Sequence, residues 1–176
     1  VFAITITQLA VTTAGKVEHQ PQVTLMSKKI NLLFTISDTD DIETISGTIC
    51  GVYPAILLAT GEPLEQTALQ IPENQISFST LVTNRRAEAS ISLFGLYNPE
   101  NGNKYENQLV LQVTKKNGEI KQTTTNITNK VTEILEEYNG TIPVEIPINI
   151  PIEVKVENGM EATLKEWYPG QGEGHI

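Results

Sequence analysis

The segment TIPVEIPINIPIEVKV, Thr141 to Val156, restricts the fold more than any other part of the chain. Every even position from Ile142 to Val156 is Ile or Val, and the odd positions between them are Pro, Glu, Asn or Lys. Period two over this length places one apolar row on one face of an extended chain. Prolines at Pro143, Pro147 and Pro151 exclude a helix. They also share the parity of the polar row. Residues of one parity send their N–H groups to the same strand edge, so one edge lacks donors and the other keeps them. The segment is therefore expected to form one long strand at a sheet margin. Its Ile/Val row should pack inward and its even-position edge should be paired. Its proline edge should pair little with the domain's own chain. Such an edge either guards against aggregation or reserves the strand for one partner chain.

The rest of the chain has the same bias. Ile, Val and Thr make up 53 of the 176 residues, a β-branched content typical of sheet proteins. Apolar residues at 39% are enough to build a core without disulfide staples. The net charge of −9 and pI near 4.7 argue against a nucleic-acid partner. The single cysteine, Cys50, cannot form an internal disulfide, and its apolar run GTICGVYPAILLA marks it as a small buried hydrophobe. No apolar stretch is long enough for a membrane-spanning helix. The opening VFAITITQLAV enters a strand at once, as expected of a mature fragment or a carboxyl-terminal domain.

Strand-like segments follow one another closely: Phe2 to Val11, Val23 to Ile36, Gly47 to Ala59, Ile76 to Val82, Ala87 to Tyr97, Gln108 to Thr114 and Glu119 to Thr124, then the long final strand. In the second, Ile30, Leu32, Phe34 and Ile36 line one face. The third is nearly continuously apolar and reads as a central strand buried on both faces. VTKKNGEIKQT predicts a two-residue type I′ hairpin at Asn117-Gly118. DTDDIETIS reads as a short helical turn with Ile42 and Ile45 tucked in. In NITNKVTEILEEYNG, the residues Ile127, Val131, Ile134, Leu135 and Tyr138 follow helical spacing, with Asn126 or Thr128 as the cap and Asn139-Gly140 as the stop. The pattern predicts an all-β fold, a Greek-key β-sandwich of about eight strands with one short helix before the last strand. The domain spans 1–176, with 1–20 a lead-in strand and linker and 168–176 a loose tail.

Residues suited to catalysis are few. His19 lies in a linker and His175 is second from the end, so neither has a group to orient it as a base. Asp38, Asp40 and Asp41 are the only aspartates. They lack the glycine and distal glutamate of a calcium loop and read as a solvated loop with a capping aspartate. No His/Cys cluster has zinc spacing, and no glycine-rich loop joins a strand to a helix to hold phosphate. Arg85-Arg86 reads as an exposed hairpin turn, or as a docking pair or protease site. Asn126-Ile-Thr128 and Asn139-Gly-Thr141 fit the glycosylation pattern, but helix capping explains both. Trp167 and Tyr168 either anchor the tail or stack on a sugar ring. No catalytic, cofactor-binding or metal-binding residue is assigned, and no cofactor is expected.

The order of pieces resembles the fimbrillin-like proteins of Bacteroidales, in particular the accessory and anchor subunits of type V pili. The resemblance rests on QVTLMSKKINLLFTI, the acidic loop SDTDDIETISG, the run TICGVYPAILLATGEP, and the step TNITNKV into a helix, over residues 20 to 168. It implies a transthyretin-like sandwich, here the second domain of a two-domain subunit. It also implies export through the periplasm to the outer membrane as a lipoprotein, with membrane contact only through a lipid anchor on an N-terminal part. Other pilus subunits, joined by strand or edge pairing, are the implied partners, with a host protein or a glycan as the adhesive target. The alternative reading is a surface carbohydrate-binding module using Trp167, Tyr168 or a loop tyrosine.

Overall fold

The computed structural model describes residues 2–5, 22–58, 62, 74–97 and 106–170. Strands β1 (Phe2–Thr5) and β2 (Gln22–Leu25) pair with each other. The others are β3 (Lys28–Ile36), β4 (Ile42–Cys50), β5 (Gln75–Leu81), β6 (Arg86–Leu93), β7 (Gln108–Lys115), β8 (Ile120–Asn126), β9 (Ile148–Lys155), β10 (Glu161–Leu164) and β11 (Tyr168–Pro169). Helix α1 (Thr128–Glu137) stands between β8 and β9. One sheet has the order β10-β9-β3-β6, with β11 also on β9, and the other β5-β4-β7-β8. The chain changes sheet between β3 and β4, between β5 and β6, between β6 and β7, and again between β8 and β9. The fold is the predicted all-β sandwich with Greek-key crossings.

The core is built on two rows in register. β3 and β9 run parallel, pairing Ile30 with Ile148, Leu32 with Ile150, Phe34 with Ile152 and Ile36 with Val154. All eight of these side chains are buried. Ile45 and Ile49 of β4 and Leu109, Leu111 and Val113 of β7 close the core from the other sheet. Gly47 lies opposite Phe78 across the β4–β5 pair. A Cβ there would collide with the Val110 carbonyl oxygen and come within 2.9 Å of the Phe78 ring, so the neighbouring strand and the ring leave no room for a side chain. Phe78 in turn stacks on Phe34 at 5.9 Å.

The expected margin strand is corrected in two respects. Regular structure begins at Ile148, not Ile142, and β9 is not at a margin. Its even-position edge is paired as predicted, with Ser37 N–H donating to the Val154 carbonyl from the β3 side. Its proline edge is covered by β10 and β11, in two short pieces. Their registers differ by one residue across Lys165 to Trp167, opposite Pro151. Lys165 and Gly170 donate N–H groups to the carbonyls of Pro151 and Pro147. The prolines accept bonds they cannot return, and the break in register lies where a full ladder would need the Pro151 donor. Lys165, which faces the missing donor, is exposed, so water can bond its carbonyl.

Four further expectations change. β4 begins at Ile42, so DTDDIETIS is not a helical turn. A register shift between Ile42 and Thr44 leaves Glu43 as an extra residue, and this bulge buries Ile42 and Ile45 at a spacing of three. The third strand ends at Cys50 and has one solvent-facing side, rather than running buried to Ala59. The second strand is divided between β2 and β3. The Asn117-Gly118 hairpin is not type I′: Gly118 alone has positive φ, at 86°, and its N–H donates to the Lys115 carbonyl. Asn117 instead accepts the Glu119 N–H on its side chain. The result is a type I turn followed by a left-handed glycine. Helix α1 forms as predicted, but its N-cap position falls on Ile127, between the two predicted caps. Asn126 Oδ1 accepts the Thr128 N–H, and Asn139 and Gly140 end the helix in left-handed conformations. Their N–H groups donate to the carbonyls of Glu136 and Leu135.

Ile148 is fully buried at the start of the paired rows, whereas Glu145 is exposed before the strand. Ile148→Ala is expected to cost about 2–5 kcal/mol in a urea titration, and Glu145→Ala to leave the midpoint nearly unchanged.

Candidate functional site

The two long sides of the sandwich are built differently. Where β8 meets β10, side chains bridge to backbone: Lys121 Nζ donates to the Val156 carbonyl at 2.6 Å and Thr125 Oγ1 to the Ala162 carbonyl at 3.2 Å. On the opposite side lie β5 and β6, the end strands of their respective sheets. They are joined by the type I′ turn that was predicted elsewhere. Asn84 and Arg85 have φ of 50° and 61°, and Thr83 and Arg86 exchange backbone bonds of 2.8 and 3.0 Å. Beyond this turn the strands part, β5 to the β4 sheet and β6 to the β3 sheet, with no ladder between them. A groove of about 300 Å³ follows the seam, with Ile76, Phe78, Ala89 and Ile91 inward and four serines and Glu88 at its rim. It meets a hollow of about 320 Å³ at the wide end, lined by Tyr53, Pro54, Phe94 and Gln75, and both contain Ile76 and Ser92. Tyr53 is fixed there by an edge-on contact with Tyr97 at 4.7 Å and by close packing on Gly95.

The narrow end is held by the acidic loop. Asp40 pairs both carboxylate oxygens with Arg85, at 2.5 and 2.6 Å. Its backbone carbonyl accepts Lys116 Nζ at 2.7 Å. Asp38 Oδ2 accepts the N–H groups of Val156 at 2.7 Å and Glu157 at 2.9 Å, continuing the β3–β9 alignment past the end of β3. Asp41 donates its N–H to Thr39 Oγ1 and accepts the Lys116 N–H at its carbonyl. The three aspartates therefore have separate attachments, and among the described residues no three potential ligands converge on a metal position. Burial pushes the Asp38 carboxyl up. The N–H groups of Glu157, Val156 and Asp38 itself, with the charge of Lys121, outweigh it and hold the carboxyl below its ordinary value. Hydrogen bonding to Arg85 lowers Asp40 similarly.

The other candidates are dispersed. Cys50 is half-buried on the outer face of β4 rather than buried, and burial raises its thiol, which disfavours the reactive thiolate. Arg85 is committed to Asp40, whereas Arg86 is exposed in β6. Thr141 Oγ1 accepts Lys28 Nζ at 2.7 Å. Trp167 packs against the core and lies 5.9 Å from Tyr138, so it anchors the tail, and Tyr168 is exposed in β11. His19 and His175 lie outside the described residues. The β5–β6 seam was missed in the sequence because either strand reads as an ordinary half-buried strand. Only their membership of different sheets opens it.

No family model matches the chain, and no curated protein does. Two solved structures align with it. One is a candidate cell adhesion protein from Bacteroides ovatus, 16% identical, TM-score 0.48, covering 87% of this chain and 48% of that one. The other is a candidate adhesin from the same organism, 13% identical, TM-score 0.49, covering 85% and 51%. The chain spans about half the length of these structures.

Because the folded Asp38 carboxyl binds its proton more weakly than the unfolded one, its contribution is present above the usual carboxylate range. It is lost as the pH falls through the lowered folded value. Asp38→Asn should cost about 1 kcal/mol at neutral pH, the low figure reflecting partial exposure, and should flatten the acid limb of stability against pH. Urea titrations between pH 2 and 7 would measure both.

Proposed function

We propose that this chain is a non-catalytic structural or adhesive protein of the cell surface, an accessory, anchor or tip subunit of a fimbria. The observation that carries this reading is the β5–β6 seam, where two strand edges face each other across a groove over Ile76 and Phe78, with no strand between them among the described residues. An extended segment of another subunit would lie along this groove, add main-chain bonds to a free edge, and place alternate side chains on the half-buried Ile76 and Phe78. The resemblance of the sequence to fimbrillin-like proteins supports the same role. With it come export through the periplasm, display at the outer membrane, and a lipid anchor carried by another part of the protein. A host protein or a glycan would be the adhesive target.

The hollow at the wide end of the seam supports a second reading as a carbohydrate-binding module. Tyr53 and Phe94 offer ring surface there and Gln75 offers hydrogen bonds. Trp167 is engaged with Tyr138 and the core. The platform would be Tyr53 rather than Trp167.

A photo-crosslinking residue at Ser90, on the seam, should give covalent adducts with another exported β-sandwich subunit in the cell that produces the protein. The same residue at Thr163, on the closed side, should give none. Equal labelling at both positions, or none at Ser90, would overturn the strand-docking role. Glycan-array binding abolished by Tyr53→Ala would establish the second reading instead.

A further inference from the structure

The outward strand positions of the β5-β4-β7-β8 sheet carry no charged side chain, and a charge meets them at the rim, where Glu106 accepts a bond from Gln108 Nε2. This outer face is formed by every second residue from Gln75 to Leu81, Thr44 to Cys50, Gln108 to Thr114 and Ile120 to Asn126, brought into line by the pairing registers. These positions are Gln, Ser, Thr and Asn, with Cys50, Val110, Leu81 and Ile120 among them. Yet 19% of the chain is charged and the net charge is −9. The outer face of the other sheet is ordinary in this respect, with Lys29, Arg86, Glu88, Glu153, Lys155 and Glu161 at equivalent outward positions. The rows run straight across the strands, for instance Ser79, Ser46, Gln112 and Gln122.

We infer that this face is a self-association surface, where a second copy of the chain packs sheet against sheet. Two acidic copies repel wherever their charged surfaces meet, and this uncharged face relieves that repulsion. Hydroxyl and carboxamide groups both donate and accept hydrogen bonds, so the face is complementary to a copy of itself. It has no aromatic ring on which a sugar could stack. Four strands about 4.8 Å apart and about seven residues long present roughly 450 Å². A stable interface needs about 800 Å² per partner. The association is therefore weak between free molecules and becomes effective where copies are held side by side at high local concentration.

The test is sedimentation equilibrium of the chain over a concentration series reaching the millimolar range. The apparent mass should rise towards that of a dimer. Gln112→Glu, central on the face, and Gln122→Glu, exposed on β8, would each place a like charge twice in the pair and should weaken association at least tenfold. Thr163→Glu, with the same net charge but on the other sheet, should leave it unchanged. Circular dichroism establishes that each variant is folded, and Gln122, exposed at a sheet edge, serves if Gln112→Glu does not fold. A chain that stays monomeric throughout would overturn the inference. So would a Thr163→Glu effect as large as those on the face, or binding of a neutral glycan by this face without self-association.

Discussion

The parallel pairing of β3 with β9 organises the molecule. Four β3 side chains and four β9 side chains, each pair in register, are buried as a single apolar layer. A slip of one residue would turn the β9 row to the polar side and bring Asn149 and Glu153 into the core, so burial itself sets the register. β6 extends this sheet on one side and β10 and β11 on the other. Asp38 fastens the far end by accepting two N–H groups just past β9. The bond from Ser37 to Val154 and those to Asp38 form one continuous attachment, backbone first and then side chain.

The prolines explain why the two edges of β9 differ. An edge with missing donors is poor at pairing, yet its carbonyls remain good acceptors. The chain uses them through Lys165 and Gly170, and shifts register between. Covering the edge in two short strands removes a long, flat template for foreign pairing. The β5–β6 seam has the opposite character: neither strand contains a proline, and both outer edges retain their donors. Among the described residues, one edge is thus covered and the other is open.

Much of this was legible from residue patterns. The alternation in Ile30 to Ile36 and Ile148 to Val156 identified the core rows, and helical spacing with Asn139-Gly140 identified α1 and its stop. What failed depended on partners distant in sequence. Donor counting located the weak edge of β9, but β10 and β11 are too short and too polar to announce that they cover it. The spacing of Ile42 and Ile45 imitates a helix because a bulge at Glu43 shifts the strand's parity. Asn117-Gly118 suits a type I′ turn by composition, yet the bond from Gly118 to Lys115 selects a different hairpin. Asn84-Arg85 takes the type I′ geometry without glycine, and Arg85 also pairs with Asp40. The seam was invisible because sheet membership is a tertiary property, and the uncharged face because it needs the registers of four strands.

Native-state hydrogen exchange measures the asymmetry of β9 most directly. The amides of Ile150, Ile152 and Val154 face β3 and should exchange only through global unfolding, while those of Asn149 and Glu153 face the short outer strands and should exchange faster through local opening. Equal protection on both parities, or faster exchange at the even positions, would contradict a fold anchored on the β3–β9 pair.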